Sequence, residues 1–306
     1  MIKSDNMRGA ALMVVAMLGF ALEDMSLKMA MRVVPVGEAL VIFGVLGMFS
    51  FIGLAQSRGQ RVFHPAVLSK VMALRAVSEV LGRLGYTLGF VMIPLSNASA
   101  ILQATPLVVV AAAAMIFGEK VGWQRWLAVV IGFIGVLIIL RPGVEGFSAG
   151  SIFAVVGMLG FAGRDLATRA APPVLSNFQL GIYGFFMLIP SGLILIALSG
   201  DVMIPETYEL RWITLAAAVG VLAYWALTSA MRLGEISVVT PFRYTRLPFA
   251  LIAGAMIFDE RPDWPMLLGG VLIVGSGIYT LTHARAAAKR LPGVAPAGVD
   301  PRDRRP

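Results

Sequence analysis

The sequence predicts an all-α polytopic membrane protein with ten transmembrane helices, arranged as two inverted repeats of five helices. Of its 306 residues, 58% are hydrophobic and only 14% are charged, whereas a soluble domain carries about 25% charged residues. Apolar runs of about 20 residues, the length that crosses a bilayer, recur along the whole chain. Segments of the first half also recur in the second half at a constant offset of 141 residues.

Each apolar run predicts one span, and the breaks between spans contain turn residues such as Pro142 and Gly143. The first run continues through Glu23 and Asp24 without a small-residue cleavage site, which favours a span over a cleaved signal peptide. In chain order the predicted spans are 9–31, 37–55, 68–92, 96–117, 123–140, 150–170, 178–199, 210–231, 236–258 and 264–282.

The Lys and Arg residues that flank the spans predict the orientation, because cytoplasmic segments are enriched in them. With the N-terminus inside, the outer segments hold only Arg32, Arg141, Arg211 and Arg261. Both termini are therefore predicted to be cytoplasmic. The expected parts are an N-terminus (1–8), a first repeat (9–140), an outer loop (141–149), a second repeat (150–283) and a basic, disordered cytoplasmic tail (284–306).

Two blocks of matching sequence carry the repeat. Because each copy contains five spans, an odd number, the second copy enters the membrane from the opposite side. Inverted repeats are typical of secondary transporters, whose substrate site lies near the bilayer midplane at the repeat interface. The hairpins with Glu119 and Glu260 are predicted to be either gates or turns with the glutamate at the head of the next helix. The matching blocks are VVAMLGFALED (14–24) with VVGMLGFAGRD (155–165), and MIFGEKVGW (115–123) with MIFDERPDW (256–264).

Charged residues inside the spans are candidate functional residues, because they are costly in a bilayer. Asp24 with Lys28, and Asp165 with Arg169, are repeat-related pairs at i, i+4 on opposite sides of the membrane. Each pair is predicted either to strengthen a closure layer of a transport cycle or to be an intrahelical pair whose cation reaches its own interface.

Arg246 is predicted to lie near the bilayer midplane between two prolines that leave nearby carbonyls without partners. A guanidinium binds a carboxylate through two parallel hydrogen bonds. Arg246 is therefore predicted to hold a substrate carboxylate with help from Arg83, while Glu79 holds the ammonium of a zwitterion. The alternative is that Glu79 or Glu23 neutralises Arg246 structurally.

Cations exceed anions inside the spans, six against four when Arg75 at a span edge is omitted. This surplus favours a small-molecule substrate with a carboxylate or another anionic group. Aromatic rings in the same spans are expected to stack on a planar substrate. The predicted substrate-binding residues are Arg246, Arg83, Glu79, Glu23, Phe20, Phe161, Tyr86, Tyr224, Trp225, Arg243, Tyr244 and Gln103.

The sequence argues against an enzyme, a cofactor and a metal site. It contains no Cys, and both His64 and His283 lie outside the spans. GFSAG (146–150) matches a G-x-S-x-G pattern but follows no strand, and no P-loop or H-E-x-x-H pattern occurs. Half of the net charge of +8 lies in residues 284–306, which favours contact with the inner leaflet over nucleic acid. A passive channel or pore remains as the alternative to a transporter.

The ten predicted spans, the paired hairpins FGEK and FDER, and the segment SVVTPFRYTRLP (237–248) resemble the drug/metabolite transporter superfamily in its EamA-type form. The resemblance covers residues from about 8 to 283. It implies a secondary carrier that exports small metabolites across a bacterial-type inner membrane. A monomer without a required protein partner is expected. Exporters of aromatic amino acids are the first comparison, and carriers of other carboxylate- or phosphate-bearing metabolites, such as nucleotide sugars, are the alternative.

The inverted arrangement makes a testable prediction about topology. Reporter fusions at Arg141, at Asp201 and after Arg285 are expected to read outside, outside and inside. A single reversed reading would contradict the arrangement, because an even number of spans in each copy gives parallel repeats.

Overall fold

A computed structural model describes residues 2–117, 123–141, 148–233 and 240–289 of this chain, and those residues form helices, turns and short loops without any strand. Two 3₁₀-helices cover Pro65–Leu68 and Thr240–Thr245. The α-helices are α1 (Ile2–Ala30), α2 (Val36–Gln56), α3 (Lys70–Met92), α4 (Leu95–Leu102), α5 (Thr105–Phe117), α6 (Trp123–Leu140), α7 (Ala149–Arg169), α8 (Asn177–Phe186), α9 (Leu188–Ser199), α10 (Thr207–Leu233), α11 (Arg246–Phe258) and α12 (Trp264–Lys289).

The helices confirm the predicted all-helical membrane fold. Among the described residues, five segments are long and apolar enough to cross a bilayer, and three shorter apolar helices accompany them. Helix α3 coincides with the third predicted span although it carries several charges. The five long segments are Met7–Ala30, Val36–Gln56, Ala149–Thr168, Asn177–Ser199 and Thr207–Ala230; the shorter ones are Leu95–Val109, Trp126–Leu140 and Trp264–Tyr279.

Three of the predicted spans are broken rather than continuous. Span 4 consists of α4 and α5, because Pro106 has no N–H to donate to the carbonyl of Leu102. The hydroxyl of Thr105 donates to that carbonyl instead, at 2.6 Å. Span 7 is broken between α8 and α9, just before Pro190, and span 9 consists of a 3₁₀-helix followed by α11.

The sequence repeat is also a repeat of backbone structure. Helices α5 and α11 begin and end at positions that differ by the same 141 residues. Helices α6 and α12 begin at Trp123 and Trp264, which are again 141 residues apart. The break in span 4 is therefore the counterpart of the break in span 9.

The principal helix contacts join one repeat to the other. Helix α1 packs on α10, α3 on α7, α6 on α12, and α2 on α8 and α9. Applying the 141-residue offset to α1 and α10 gives α7 and α3, so these two contacts are equivalent. The core of the described protein is therefore the interface between the two repeats.

Small residues bring these helices close together. A Cβ atom at Gly85 of α3 would lie 2.5 Å from the backbone nitrogen of Gly157 on α7. In the other contact, a Cβ atom at Gly19 of α1 would lie 2.8 Å from the Cβ of Ala223 on α10. Close backbone approach through small residues is a common way for membrane helices to associate.

The two ends of the described chain are more helical than the sequence predicted. Helix α1 begins at Ile2, inside the segment expected as a separate N-terminus. Helix α12 continues to Lys289, into the segment expected as a disordered tail, where the sequence ARAAAK is rich in alanine. Alanine, lysine and arginine favour helix, so this extension follows from local propensity. Residues 290–306 lie outside the described part.

Replacing Gly85 with valine is expected to lower the free energy of unfolding by about 1–3 kcal/mol, the usual cost of forcing extra carbon atoms into a packed contact. Thermal denaturation of the purified protein in detergent would measure the change. Gly53→Ala is the matched control, because a Cβ atom there meets nothing within 4 Å. Equal melting temperatures for the two variants would contradict the tight contact between α3 and α7.

Candidate functional site

A cavity lies between the two repeats where spans 4 and 9 are broken. Its volume, including the open mouth, is about 630 Å³. The first residues of α5, Thr105 and Pro106, and the first residue of α11, Arg246, line it. The side-chain amide of Gln103 donates to the carbonyl of Arg243 at 3.2 Å and connects the two breaks. The N-termini of two half-helices therefore face one cavity, an arrangement that favours an anionic group.

Most of the residues that the sequence predicts for the site line this cavity. The lining also includes Arg164, which the prediction left out of the site although it occupies the repeat position of Glu23 in a matching block. The equivalence of Arg164 and Glu23 in the repeat was the signal in the sequence that could have placed Arg164 in the site. The predicted residues in the lining are Phe20, Glu23, Arg83, Tyr86, Gln103, Phe161, Arg243 and Arg246.

The other four predicted site residues lie away from the cavity lining. Glu79 is buried among arginines, and Tyr224 accepts a hydrogen bond from Arg75 at 2.9 Å. Trp225 is 36% exposed and Tyr244 is 4% exposed. Glu79 is thus not placed to hold the ammonium of a substrate in the cavity, because neighbouring arginines already contact it.

Asp24 of α1 is buried and bonded to two other helices. Its Oδ2 accepts from Nη2 of Arg246 at 2.5 Å and from the hydroxyl of Tyr86 at 3.0 Å. Arg246 is therefore paired one to one with Asp24, rather than with either glutamate expected from the sequence. Because burying an unpaired charge is costly, this pair fixes α1 against α11.

The neighbouring acid on α1 is paired with a third helix. Glu23, which is 2% exposed, contacts Arg83 of α3 at 3.0 Å. The guanidinium of Arg83 also lies over the ring of Phe43, 5.4 Å from its centroid. In this second pair, too, one carboxylate faces one guanidinium.

The third group of charges is not balanced. Asp165 accepts from two arginines, Arg164 at 2.9 Å and Arg243 at 3.2 Å. Arg164 also contacts Glu79 at 3.4 Å, and Glu79 lies 3.7 Å from Arg75. Among the described side chains, these five form a continuous network with three cations and two anions.

The three groups together are called the charge cluster. Two of them are neutral pairs, so the surplus of one positive charge resides in the third group. Arg164 and Arg243 bring that surplus to the cavity lining. The members of the charge cluster are Glu23, Asp24, Arg75, Glu79, Arg83, Arg164, Asp165, Arg243 and Arg246.

Aromatic rings of the cavity stack on guanidinium groups. Arg246 lies 5.3 Å from the ring centroid of Phe20 and 5.4 Å from that of Tyr86. Arg164 lies 4.6 Å from the centroid of Phe161, the repeat counterpart of Phe20. Such contacts contribute about 0.5–2 kcal/mol each.

Lys28 does not pair with Asp24, its expected partner on the same helix. Its Nζ donates to the carbonyl of Ile93 at 3.0 Å and to Oε1 of Glu260 at 3.2 Å. An exposed i, i+4 pair is worth only about 0.2–0.5 kcal/mol. Both residues instead find more hydrogen bonds on other helices, because Arg246 binds Asp24 and the start of α4 lies within reach of Lys28.

Glu260 caps a helix of the opposite repeat. Its carboxylate accepts from the backbone N–H of Leu95 at 2.6 Å, from the N–H of Ser96 at 3.0 Å and from the hydroxyl of Ser96 at 2.6 Å. The expected cap of the following helix, α12, comes from Asp263 instead, whose Oδ1 accepts from the N–H of Met266 at 3.0 Å. We call the bonds of Glu260 to Lys28 and to the start of α4 the Glu260 cap.

Two expectations fall on parts that the structure does not describe. Glu119, the repeat counterpart of Glu260, lies outside the described residues. The side chain of Arg169 is likewise not described, so its expected pairing with Asp165 stays a prediction. Among the described residues, no group of three or more histidine, aspartate or glutamate side chains is placed to hold a metal ion.

Comparison with known proteins identifies a family whose model matches each of the two repeats. The model of the EamA-like transporter family matches the chain twice, over residues 7–141 and 148–282. A solved crystal structure of a protein aligns with a TM-score of 0.61 and 15% identity, over 91% of this chain and 98% of that one. It shows the same fold.

Three similar proteins are named as transporters. The S-adenosylmethionine uptake transporter of Rickettsia bellii is 25% identical over 72% of this chain and 76% of its own length. The riboflavin transporter of Vibrio cholerae is 28% identical over 89% and 92%. The pseudopaline exporter of Pseudomonas aeruginosa is 26% identical over 87% and 93%. Their names include both uptake and export.

The Glu260 cap predicts a pH-dependent contribution to stability. Burial opposes ionisation, but hydrogen bonds from Ser96 and from the N–H of Leu95, with the charge of Lys28, hold the pKa of Glu260 below its ordinary value. Ionised Glu260 therefore contributes its full stabilisation above the ordinary carboxyl pKa. That contribution is lost as the pH falls through the lower pKa of Glu260 in the folded protein. Glu260→Gln is expected to lower the free energy of unfolding by about 1–3 kcal/mol at pH 7.

The measurement is thermal denaturation of wild type and Glu260→Gln in detergent at a series of pH values. The difference between them is expected to shrink below pH 4.5, the ordinary carboxyl value. Glu206→Gln, which changes an exposed acid, is the control and is expected to show no such difference. A Glu260→Gln effect that does not vary with pH would contradict the cap.

Proposed function

We propose that this chain, which belongs to the EamA-like transporter family, is a secondary transporter of a small metabolite that carries a carboxylate and a planar ring. The substrate binds in the cavity between the two repeats and crosses the membrane by alternating access. An aromatic amino acid is the simplest molecule with both features. The proposal covers the substrate class, and the direction of net transport follows from the gradients across the membrane.

The observation that carries this proposal is the surplus positive charge at the cavity. The charge cluster has five arginines and four carboxylates. Four of the arginines and one carboxylate line the cavity, and the N-termini of α5 and α11 add positive potential. A substrate anion would balance this charge in a site of low dielectric, where an unbalanced charge is costly. Arginine also matches the planar geometry of a carboxylate.

The remaining lining bears on the other parts of such a substrate. Among the described lining residues Glu23 is the acid, but Arg83 already neutralises it, so we assign it no substrate ammonium. Phe20 and Phe161 lie on repeat-related positions in the cavity lining, where aromatic rings can contact a planar group. Among the similar proteins, the named substrate S-adenosylmethionine carries both an amino-acid group and a planar ring.

The Glu260 cap supports alternating access. It joins α1 and α4 of the first repeat to the hairpin before α12 of the second repeat. Inverted-repeat carriers move one repeat against the other around a fixed site. We propose that the cap closes the side predicted to be outer and that its bonds break when the cavity opens there.

Counterflow into liposomes tests the proposed function. Purified protein would be reconstituted with unlabelled compound inside and trace labelled compound outside. The probes are L-tryptophan, its carboxamide, tryptamine, S-adenosylmethionine and riboflavin. Saturable counterflow is expected for compounds with a carboxylate, and L-tryptophan is expected to bind more tightly than tryptamine, which lacks one.

Three results would count against the proposal. A linear, non-saturable flux would indicate a pore, because a pore shows no counterflow. Saturable counterflow of tryptamine alone would show a preference for cations and would contradict the proposed need for a substrate carboxylate. Saturable counterflow of riboflavin alone would keep a carrier but exclude the anionic substrate class.

A further inference from the structure

The three charge groups of the cavity differ in how many arginines each carboxylate serves. Asp24 contacts Arg246, and Glu23 contacts Arg83, in closed pairs. Asp165 serves two arginines that both line the cavity. Within the described residues, a ligand anion could therefore bind near Asp165 without displacing any carboxylate from its only cation.

We propose that Arg164 and Arg243 form the binding site for the substrate carboxylate, and that Asp165 is the counter-ion that they share when no substrate is bound. This inference rests on the proposed function and names the part of the cavity that binds the anion. It moves the carboxylate from Arg246, the residue predicted from the sequence, to a pair that includes Arg164, which the sequence did not place in the site.

The contacts of the two arginines support this assignment. Asp165 engages Arg164 through its Oδ1 and Arg243 through its Oδ2, so each guanidinium keeps further N–H groups for a ligand. Their side chains are 17% and 21% exposed. A carboxylate has acceptor sites for two arginines at once, and it would neutralise the surplus charge of the network.

The surroundings restrict what can bind there. Phe161 stacks on the guanidinium of Arg164, so a planar group next to the carboxylate would meet an aromatic wall. Glu79, on the far side of Arg164, is itself contacted by Arg75. Among the described side chains of the network, cations outnumber anions, which favours an anionic group.

Two substitutions with opposite expected effects test the proposal. Arg243→Gln removes the surplus charge and is expected to weaken L-tryptophan binding by about tenfold or more, the effect of losing a charged hydrogen bond. Asp165→Asn removes the competing carboxylate and is expected to tighten L-tryptophan binding. Binding of tryptophan carboxamide, which has no carboxylate, is expected to change much less in both variants.

The readout is the ratio of half-saturation concentrations for L-tryptophan and its carboxamide in counterflow, measured on variants whose melting temperatures show that they fold. Arg211→Lys, an exposed arginine outside the cavity, is the control and is expected to leave the ratio unchanged. Arg246→Lys tests the competing site: it keeps the charge and loses the planar fork.

The outcomes separate the two proposals. If the wild type shows no saturable counterflow with any probe, the proposed function fails. If counterflow occurs but Arg243→Gln leaves the ratio unchanged, or Asp165→Asn weakens L-tryptophan binding, only the Arg164–Arg243 site is overturned. If the ratio of half-saturation concentrations changes in Arg246→Lys and not in Arg243→Gln, Arg246 is the residue that binds the substrate carboxylate. If Arg243→Gln does not fold, the direction of the Asp165→Asn effect decides.

Discussion

An ionised side chain within a membrane-spanning helix needs a partner, and this constraint determines how the helices of this protein meet. An unpaired charge at bilayer depth costs several kcal/mol. Asp24 and Glu23 are adjacent on α1, yet they are paired with Arg246 of α11 and Arg83 of α3. Neighbouring residues on a helix point about 100° apart, so one helix turn holds two other helices at once. The relative positions of α1, α3 and α11 thus follow from two ion pairs as well as from packing.

The backbone follows the repeat, whereas several of the charged residues do not. Helices α5 and α11 have identical lengths and equivalent ends, but the first begins with Thr105 and the second with Arg246. Glu23 and Arg164 occupy equivalent positions with opposite charge. A symmetric scaffold allows two equivalent states of opposite orientation, whereas a single substrate needs an asymmetric site. The pseudo-symmetry therefore accounts for the movement that we propose, and the unmatched charges account for the recognition.

Much of the fold could be predicted from the sequence, because bilayer thickness fixes the length of an apolar run and the repeat doubles every signal. Most span ends agree with the helices within a few residues, as at 123–140 and Trp123–Leu140. The pairing of charges could not be predicted in the same way. Periodicity along one helix placed Lys28 beside Asp24, but it carries no information about Glu260, which lies 232 residues away and contacts Lys28 in the fold. Arg164 shares the repeat position of Glu23, but its link to Arg243 through Asp165 exists only in the fold.

The numbers of partners divide the charge cluster into a fixed part and an exchangeable part. A residue with a single counter-ion cannot release it to a substrate without leaving a buried charge unpaired. Asp24 and Arg246 are such a pair, so their bond is better suited to holding α1 against α11 than to binding a metabolite. Arg164 and Arg243 share one carboxylate and face the cavity, so a substrate anion adds a counter-ion where one is lacking. Binding there removes an electrostatic imbalance instead of creating one, which is the condition for a charged site that must fill and empty in every transport cycle.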